Sequence, residues 1–268
     1  MSRGKRGFCG LLAVAGSMLL VACGSSSSSG TGSASSSASS GASGATSDGA
    51  SSRATVLAAA SLTKVFPQID ATAKYTFGGS GELETDVEQG APADVFAAAS
   101  PKQPAALFAK GLVEKPVEFA TNTLVLIVPK ANPAHITSVS DITKPGVKLV
   151  ICDASVPCGD YARTAFKNLG ITSAAMKNVV SQTSDVTQTV AEVALGQADA
   201  GFVYITDADA AGGKVSVVRL PPQAKPEAED FIAIVKSAPH PAAAKAFVSL
   251  ILSAAGQAKL RTDGFGAP

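Results

Sequence analysis

From about residue 53 the chain alternates short apolar runs with segments of helical hydrophobic spacing. Thr55 to Ala60 reads as a strand that runs directly into Ser61 and a helix over Leu62 to Ala71, which Pro67 should end or kink early. Tyr75 to Phe77 is a second strand, interrupted by Gly78-Gly79-Ser80-Gly81. Glu82 to Gln89 is a helix with Leu83 and Val87 on one face and Gly90 as its stop. Asp94 to Ala99 is a third strand, Gln103 to Lys110 a helix closed by Gly111, and Thr123 to Pro129 a long apolar strand. The rhythm then restarts. Val147 to Cys152, Val179-Val180, Ala200 to Ile205 and Val215 to Leu220 read as strands, and Gly159 to Leu169 and Ser184 to Leu195 as amphipathic helices.

Such alternation predicts an α/β protein with mostly parallel sheets flanked by helices, and its restart predicts two lobes. Pro221 to Glu229 is proline-rich and polar, a connector. The strand Phe231 to Lys236 and the alanine-rich helical stretch Pro241 to Arg261 have no third lobe to join. The chain is therefore expected to cross back: residues 53–122 with 233–268 form lobe 1, residues 123–232 form lobe 2, and two crossover strands make the hinge. The last helices should pack on lobe 1.

The first fifty residues follow another logic. Met1 to Gly7 carries Arg3, Lys5 and Arg6, and Phe8 to Val21 is apolar but short for a membrane span, so residues 1–22 read as a secretory signal. Leu20-Val21-Ala22-Cys23 resembles the lipobox of bacterial lipoproteins, which implies cleavage before Cys23, acylation of its thiol and a lipid anchor on the extracytoplasmic face of the membrane. The alternative is an ordinary signal followed by an unrelated cysteine. Residues 24–52 are Ser, Gly, Ala and Thr with Asp48 as the one charge, too polar to bury a core and suited to a leash reaching on the order of 30 Å.

With 46% hydrophobic residues in 268, the chain can bury one large core or two modest ones. A formal net charge of +1 gives no electrostatic case for nucleic acid, so any charge recognition must be local. Absence of tryptophan argues against an aromatic-lined sugar or peptide groove.

Open α/β sheets bind ligands beyond the carboxyl ends of their strands, where helices begin. Three such junctions pair hydroxyl or glycine positions with helix starts: Ala60-Ser61-Leu62, Gly79-Ser80-Gly81 and Val156-Pro157-Cys158-Gly159. Hydroxyls and free N–H groups suit a ligand that only accepts hydrogen bonds. Each junction alone has an ordinary cap or turn explanation.

Four motifs in order are more specific. Ala58-Ala59-Ala60-Ser61-Leu62-Thr63, Gly90-Ala91-Pro92-Ala93-Asp94-Val95-Phe96, Val156-Pro157-Cys158-Gly159-Asp160-Tyr161-Ala162 and Gly201-Phe202-Val203-Tyr204-Ile205-Thr206-Asp207-Ala208 resemble the extracytoplasmic molybdate-binding proteins of ABC transporters, over essentially all of residues 53–268. The resemblance implies a two-lobed periplasmic-binding-protein fold of type II that closes on a tetrahedral dianion and hands it to a membrane permease. It implies a monomer that does no chemistry, has no cofactor and binds no nucleic acid. Its ligand contacts carry over onto the donors of Ser61 and Ser80, the backbone N–H groups of Cys158 and Val186, and the hydroxyl of Tyr204. Molybdenum is thus held as molybdate, with no side chain as a direct metal ligand. All five donors are neutral, which favours an unprotonated oxyanion over phosphate, whose proton would want an acceptor. Tungstate is expected to bind as well, and smaller sulfate to be discriminated by size. The chain departs from the family in two places. Glycines flank Ser80 where further serines are common, and Cys158 stands where alanine is common.

Cys152 and Cys158 remain after processing and acylation; in an oxidising envelope such a pair reads as a disulfide, with two free thiols as the alternative. His135 and His240 have no metal-ligand spacing to them. A rival of another class is the Ser-x-x-Lys motif of penicillin-recognising enzymes, matched by Ser61-Leu62-Thr63-Lys64. Against it, Lys236-Ser237-Ala238 lacks the glycine of Lys-Thr-Gly, and Ser184-Asp185-Val186 is not Ser-Asp-Asn. A nearer rival is the same fold binding another oxyanion, such as sulfate.

Overall fold

In the computed structural model, residues 53–224 and 227–268 are described; the signal segment, Cys23 and the linker up to residue 52 lie outside the described residues. The apolar runs become β1 (Thr55–Ala59), β2 (Lys74–Gly78), β3 (Val95–Ala98), β4 (Val117–Pro129), β5 (Leu149–Cys152), β6 (Val179–Thr183), β7 (Ala200–Tyr204), β8 (Val215–Val218) and β9 (Glu227–Ile234). Between and after them lie α1 (Phe66–Ile69), α2 (Ser80–Glu88), α3 (Lys102–Ala109), α4 (Pro157–Asn168), α5 (Thr172–Lys177), α6 (Val186–Ala194), α7 (Ile205–Ala210), α8 (Pro241–Leu252) and α9 (Ala254–Thr262). Single 3-10 turns occupy Ala60–Leu62, Val139–Thr143 and Pro222–Ala224.

The strands order as β2-β1-β3-β9-β4-β7-β5-β6, with β8 also on β4. Each end of this curled, mixed sheet is parallel: β2-β1-β3 in one group, β7-β5-β6 in the other. The antiparallel strands β9 and β4 join them. β4 serves both groups, because Val117 to Thr123 pair with β9 and Leu124 to Ile127 with β7. Both β4 and β9 therefore run straight through the positions, near 122 and 232, where the sequence suggested a change of lobe.

Alternation explains why β1 and β3 read as unbroken apolar runs. Val56, Ala58, Val95 and Ala97 face the main core, while Leu57, Phe96 and Ala98 face a second cluster with Leu83, Val87 and Leu107 from α2 and α3. A strand buried on both faces needs apolar residues at every position. The C-terminal helices return to this first group. Phe247 of α8 meets Phe66 edge-on at 5.5 Å, and Phe66 also packs on Phe119 and Tyr75.

Several elements differ from expectation. The helix expected over Leu62 to Ala71 is a 3-10 turn followed by the four-residue α1; Pro67 sits at its start, where a missing N–H costs nothing. Lys64 accordingly lies in an exposed turn, 2.9 Å from Asp263. Pro241 to Arg261 is two helices, because Ser253 turns extended and its Oγ accepts the Gly256 N–H at 3.1 Å, capping α9. Part of the expected connector, Glu227 to Glu229, is strand paired with β4.

Candidate functional site

Short β-strands that end in small residues let the following helix starts crowd together. Ser61, Ser80, Cys158, Val186 and Tyr204 all line one small cavity that is partly open to solvent. Ser61 and Ser80 come from the first strand group; Cys158, Val186 and Tyr204 come from the second. Among the described residues, no lysine, arginine, histidine, aspartate or glutamate lines the cavity.

On the first side, Ser61 is the middle residue of the 3-10 turn after β1, and Ser80 opens α2. The Ser61 hydroxyl is buried and has no hydrogen-bond partner among the described residues. The Ser80 Oγ accepts the Ala99 N–H at 3.3 Å, which leaves its own proton free to donate elsewhere.

The second side presents main chain. Cys158 is the second residue of α4 and Val186 the first of α6, so neither N–H has a carbonyl one turn back. Among the described residues neither N–H has an acceptor. With α2, three helices of at least nine residues direct their positive N-terminal ends at one small space.

Both starts are fixed from behind. A Cys152–Cys158 disulfide ties the end of β5 to the first turn of α4. Arg163 donates to the Cys152 and Gly159 carbonyls at 3.0 and 2.9 Å, and a Cβ at Gly159 would run into the Cys152 and Asp153 carbonyls. Asp153 accepts the N–H and hydroxyl of Ser155, both at 2.9 Å, bonds that hold its pKa below the usual carboxylate range. At α6, Asp185 accepts the Gln188 N–H at 3.0 Å while Thr183 donates to the Asp185 carbonyl at 3.0 Å.

Tyr204 ends β7, with its ring edge-on to Tyr161 at 6.3 Å. Its N–H donates to Asp207 Oδ2 at 3.0 Å, joining the strand end to α7. Its hydroxyl is buried and has no partner among the described residues. Burial, with the Tyr161 phenol and the Asp230 carboxyl adding to it, holds the phenol far above its ordinary pKa, so it remains a donor. Burial also pushes Asp207 up to about 7, and pushes Asp230, whose two oxygens are unpartnered, well above the usual carboxylate range. The surroundings of Tyr204 therefore carry less negative charge than the residue types suggest.

The cavity thus offers hydroxyl and N–H donors and no fixed charge, the chemistry of an anion that accepts hydrogen bonds from all sides. Residues 54–266 match the pattern of the bacterial extracellular solute-binding proteins. The chain belongs to that family. As a solute-binding protein it is similar to the molybdate-binding protein ModA of Mycobacterium tuberculosis strain H37Rv, 40% identical over 80% of this chain and 84% of the relative. In structure it resembles the periplasmic molybdate-binding protein of Azotobacter vinelandii, with a TM-score of 0.71, 22% identity, and coverage of 81% and 100% of the two chains. It also resembles the sulfate-binding protein SubI of M. tuberculosis H37Rv, with a TM-score of 0.68, 20% identity, and coverage of 80% and 86%. The last two likenesses concern the fold. Among the described residues no helix of this solute-binding protein is long and apolar enough to cross a membrane, and no cluster of three His, Cys, Asp or Glu side chains could hold a metal ion.

Sequence reasoning left the support of the site unread. His240, in the loop before α8, donates its N–H to the fully buried Asp94 at 2.6 Å, and Asp94 in turn accepts the Thr55 N–H at 2.7 Å at the start of β1. Asp207, quoted only within a motif, anchors Tyr204, and the buried Asp230 falls between the expected connector and strand and was assigned to neither.

Proposed function

We propose that this solute-binding protein captures molybdate, and tungstate with it, in a cleft between two lobes and delivers the ion to an ABC permease. The lobes would be residues 53–122 with 233–268 and residues 123–232, with β4 and β9 as the flexing strands. Ser61 and Ser80 hydroxyls, the N–H groups of Cys158 and Val186, and the Tyr204 hydroxyl hold the four oxygens of the ion. Cys23, acylated after signal cleavage, anchors the protein, as a monomer, to the extracytoplasmic membrane face.

The observation that carries this reading is the pair of buried hydroxyls, Ser61 and Tyr204, with no protein partner. Burying a hydroxyl without a partner is costly, so two of them across an uncharged cavity call for an acceptor supplied from outside. A 40% identical molybdate-binding relative supports the choice of that acceptor. A Ser-x-x-Lys hydrolase gains no support: Lys64 lines a neighbouring pocket with Ser61 but not the donor cavity, and its Nζ pairs with Asp263 at 2.9 Å.

The test is calorimetric titration of the purified protein with molybdate, tungstate, sulfate and phosphate. Tight one-to-one binding of molybdate and tungstate, with weak or no binding of the other two, is the expected result. Tight sulfate binding without molybdate binding would transfer the site to the smaller ion.

A further inference from the structure

Two glycines flank Ser80, and neither is there for its backbone freedom. Gly79 has φ −67° and ψ 134°, and Gly81 is the second residue of α2, where alanine would be the better helix former. What both need is space. A Cβ at Gly81 would lie 2.5 Å from the Ser155 carbonyl oxygen, and one at Gly79 would run into the Ser184 carbonyl and come within 3.2 Å of Val156. Ser155 and Val156 lead into α4, and Ser184 leads into α6, so the first strand group meets the second here backbone to backbone.

Gln103 of α3 crosses at the same place. Only 4% exposed, it donates from Nε2 to that same Ser155 carbonyl at 3.2 Å, while its Oε1 accepts the Ser100 hydroxyl at 2.5 Å. At the rim, Lys102 Nζ stands 3.5 Å from Asp160 Oδ2, an exposed pair that adds little. Ser155 is thus met from one side by a glycine that leaves room and from the other by a buried amide that bonds to it. Gly81 and Gln103 are not part of the cavity lining.

We propose that Gly81 and Gln103, with Gly79, form a contact seam that shuts the cavity over its ligand and sets how long the ligand stays. The inference rests on the binding reading above. An ion held between Ser80 and Cys158 leaves only when the seam parts, so the seam should govern dissociation far more than association.

The test uses the purified protein and molybdate, with Gly81→Ala and Gln103→Leu. Dissociation rates are read by stopped flow against excess tungstate, and melting is followed with and without ligand. The expected result is dissociation about tenfold or more faster in Gly81→Ala and several-fold faster in Gln103→Leu, with association changed much less. Without ligand, Gly81→Ala should melt no lower than wild type, because alanine favours α2. Dissociation rates within twofold of wild type in both variants would overturn the seam. So would a Gly81→Ala protein that melts well below wild type without ligand, since the glycine would then serve the fold and not closure. A wild-type protein that binds no molybdate would overturn the binding reading, and the seam with it.

Discussion

The two sides of the cavity offer the same chemistry by different means. The first group presents hydroxyls on side chains, Ser61 and Ser80, set among alanines and glycines. The second presents main-chain N–H groups at Cys158 and Val186, which belong to helix geometry and survive any substitution but proline. Tyr204 alone brings a side-chain donor from that second side. The difference fixes where the site is vulnerable: on the first side to loss of an atom, on the second to loss of position. It also explains how position 158 can carry a cysteine: its side chain bonds Cys152, and the donor proposed for the ligand is its main-chain N–H.

The largest effect should come from the first side. Ser61→Ala with Ser80→Ala removes two hydrogen bonds to a charged acceptor, each worth about 1.5–3 kcal/mol, so molybdate affinity should fall by about 3–6 kcal/mol in calorimetry. An unchanged dissociation constant would remove both serines from the site. Tyr204→Phe should cost about 1.5–3 kcal/mol of affinity. Because its hydroxyl has no protein partner, the melting temperature without ligand should not fall.

Position on the second side is tested by replacing both Cys152 and Cys158 with serine. Loop closure over a separation of six residues contributes about 2 kcal/mol in the chain-entropy view, so melting should drop by about 4–8 °C. Affinity should weaken less than in Tyr204→Phe, since the N–H remains and Arg163 still holds the turn. Loss of affinity equal to that of the double serine variant would mean that the second side depends on the bridge alone.

The smallest effect is on pH dependence. Asp207 and Asp230 have raised pKa values in the fold, so between about pH 4 and the folded value the native state holds protons that the unfolded chain has released. Stability should therefore fall as pH rises from about 4 toward the folded values, about 7 for Asp207 and well above the usual carboxylate range for Asp230. Asp230→Asn cannot titrate, and its melting temperature should change less between pH 5 and 8 than that of the wild type. A steeper decline in the variant would contradict the protonated state of Asp230.

Much of this was legible because strands buried on both faces leave long apolar marks and helix starts leave Ser, Gly and Pro. Ser61, Ser80 and Cys158 stand at the three junctions that the sequence marked, whereas Val186 and Tyr204, which line the same cavity, were named only by the resemblance to molybdate-binding proteins. The crossover was harder to read. Glu118, Thr121 and Asn122 hide the first half of β4: Glu118 and Thr121 lie where the strand is only partly covered, and the buried Asn122 is satisfied by the Thr206 hydroxyl at 2.9 Å. Likewise Glu227 and Glu229 made the start of β9 look like linker, although they belong to a strand in which Asp230, the next residue, is 1% exposed. The Ser253 break was masked by alanines on either side. Nothing local marks Gly81 or Gln103. Their role depends on Ser155, distant in sequence, and only the folded chain brings them together.

The most direct test is a crystal structure of the protein grown with molybdate, with anomalous data at the molybdenum edge. One strong peak is expected inside the cavity, with oxygens about 2.7–3.2 Å from the Ser61, Ser80 and Tyr204 hydroxyls and the Cys158 and Val186 nitrogens. A peak held elsewhere, or one in the cavity whose oxygens leave the Ser61 and Tyr204 hydroxyls without a partner, would contradict it.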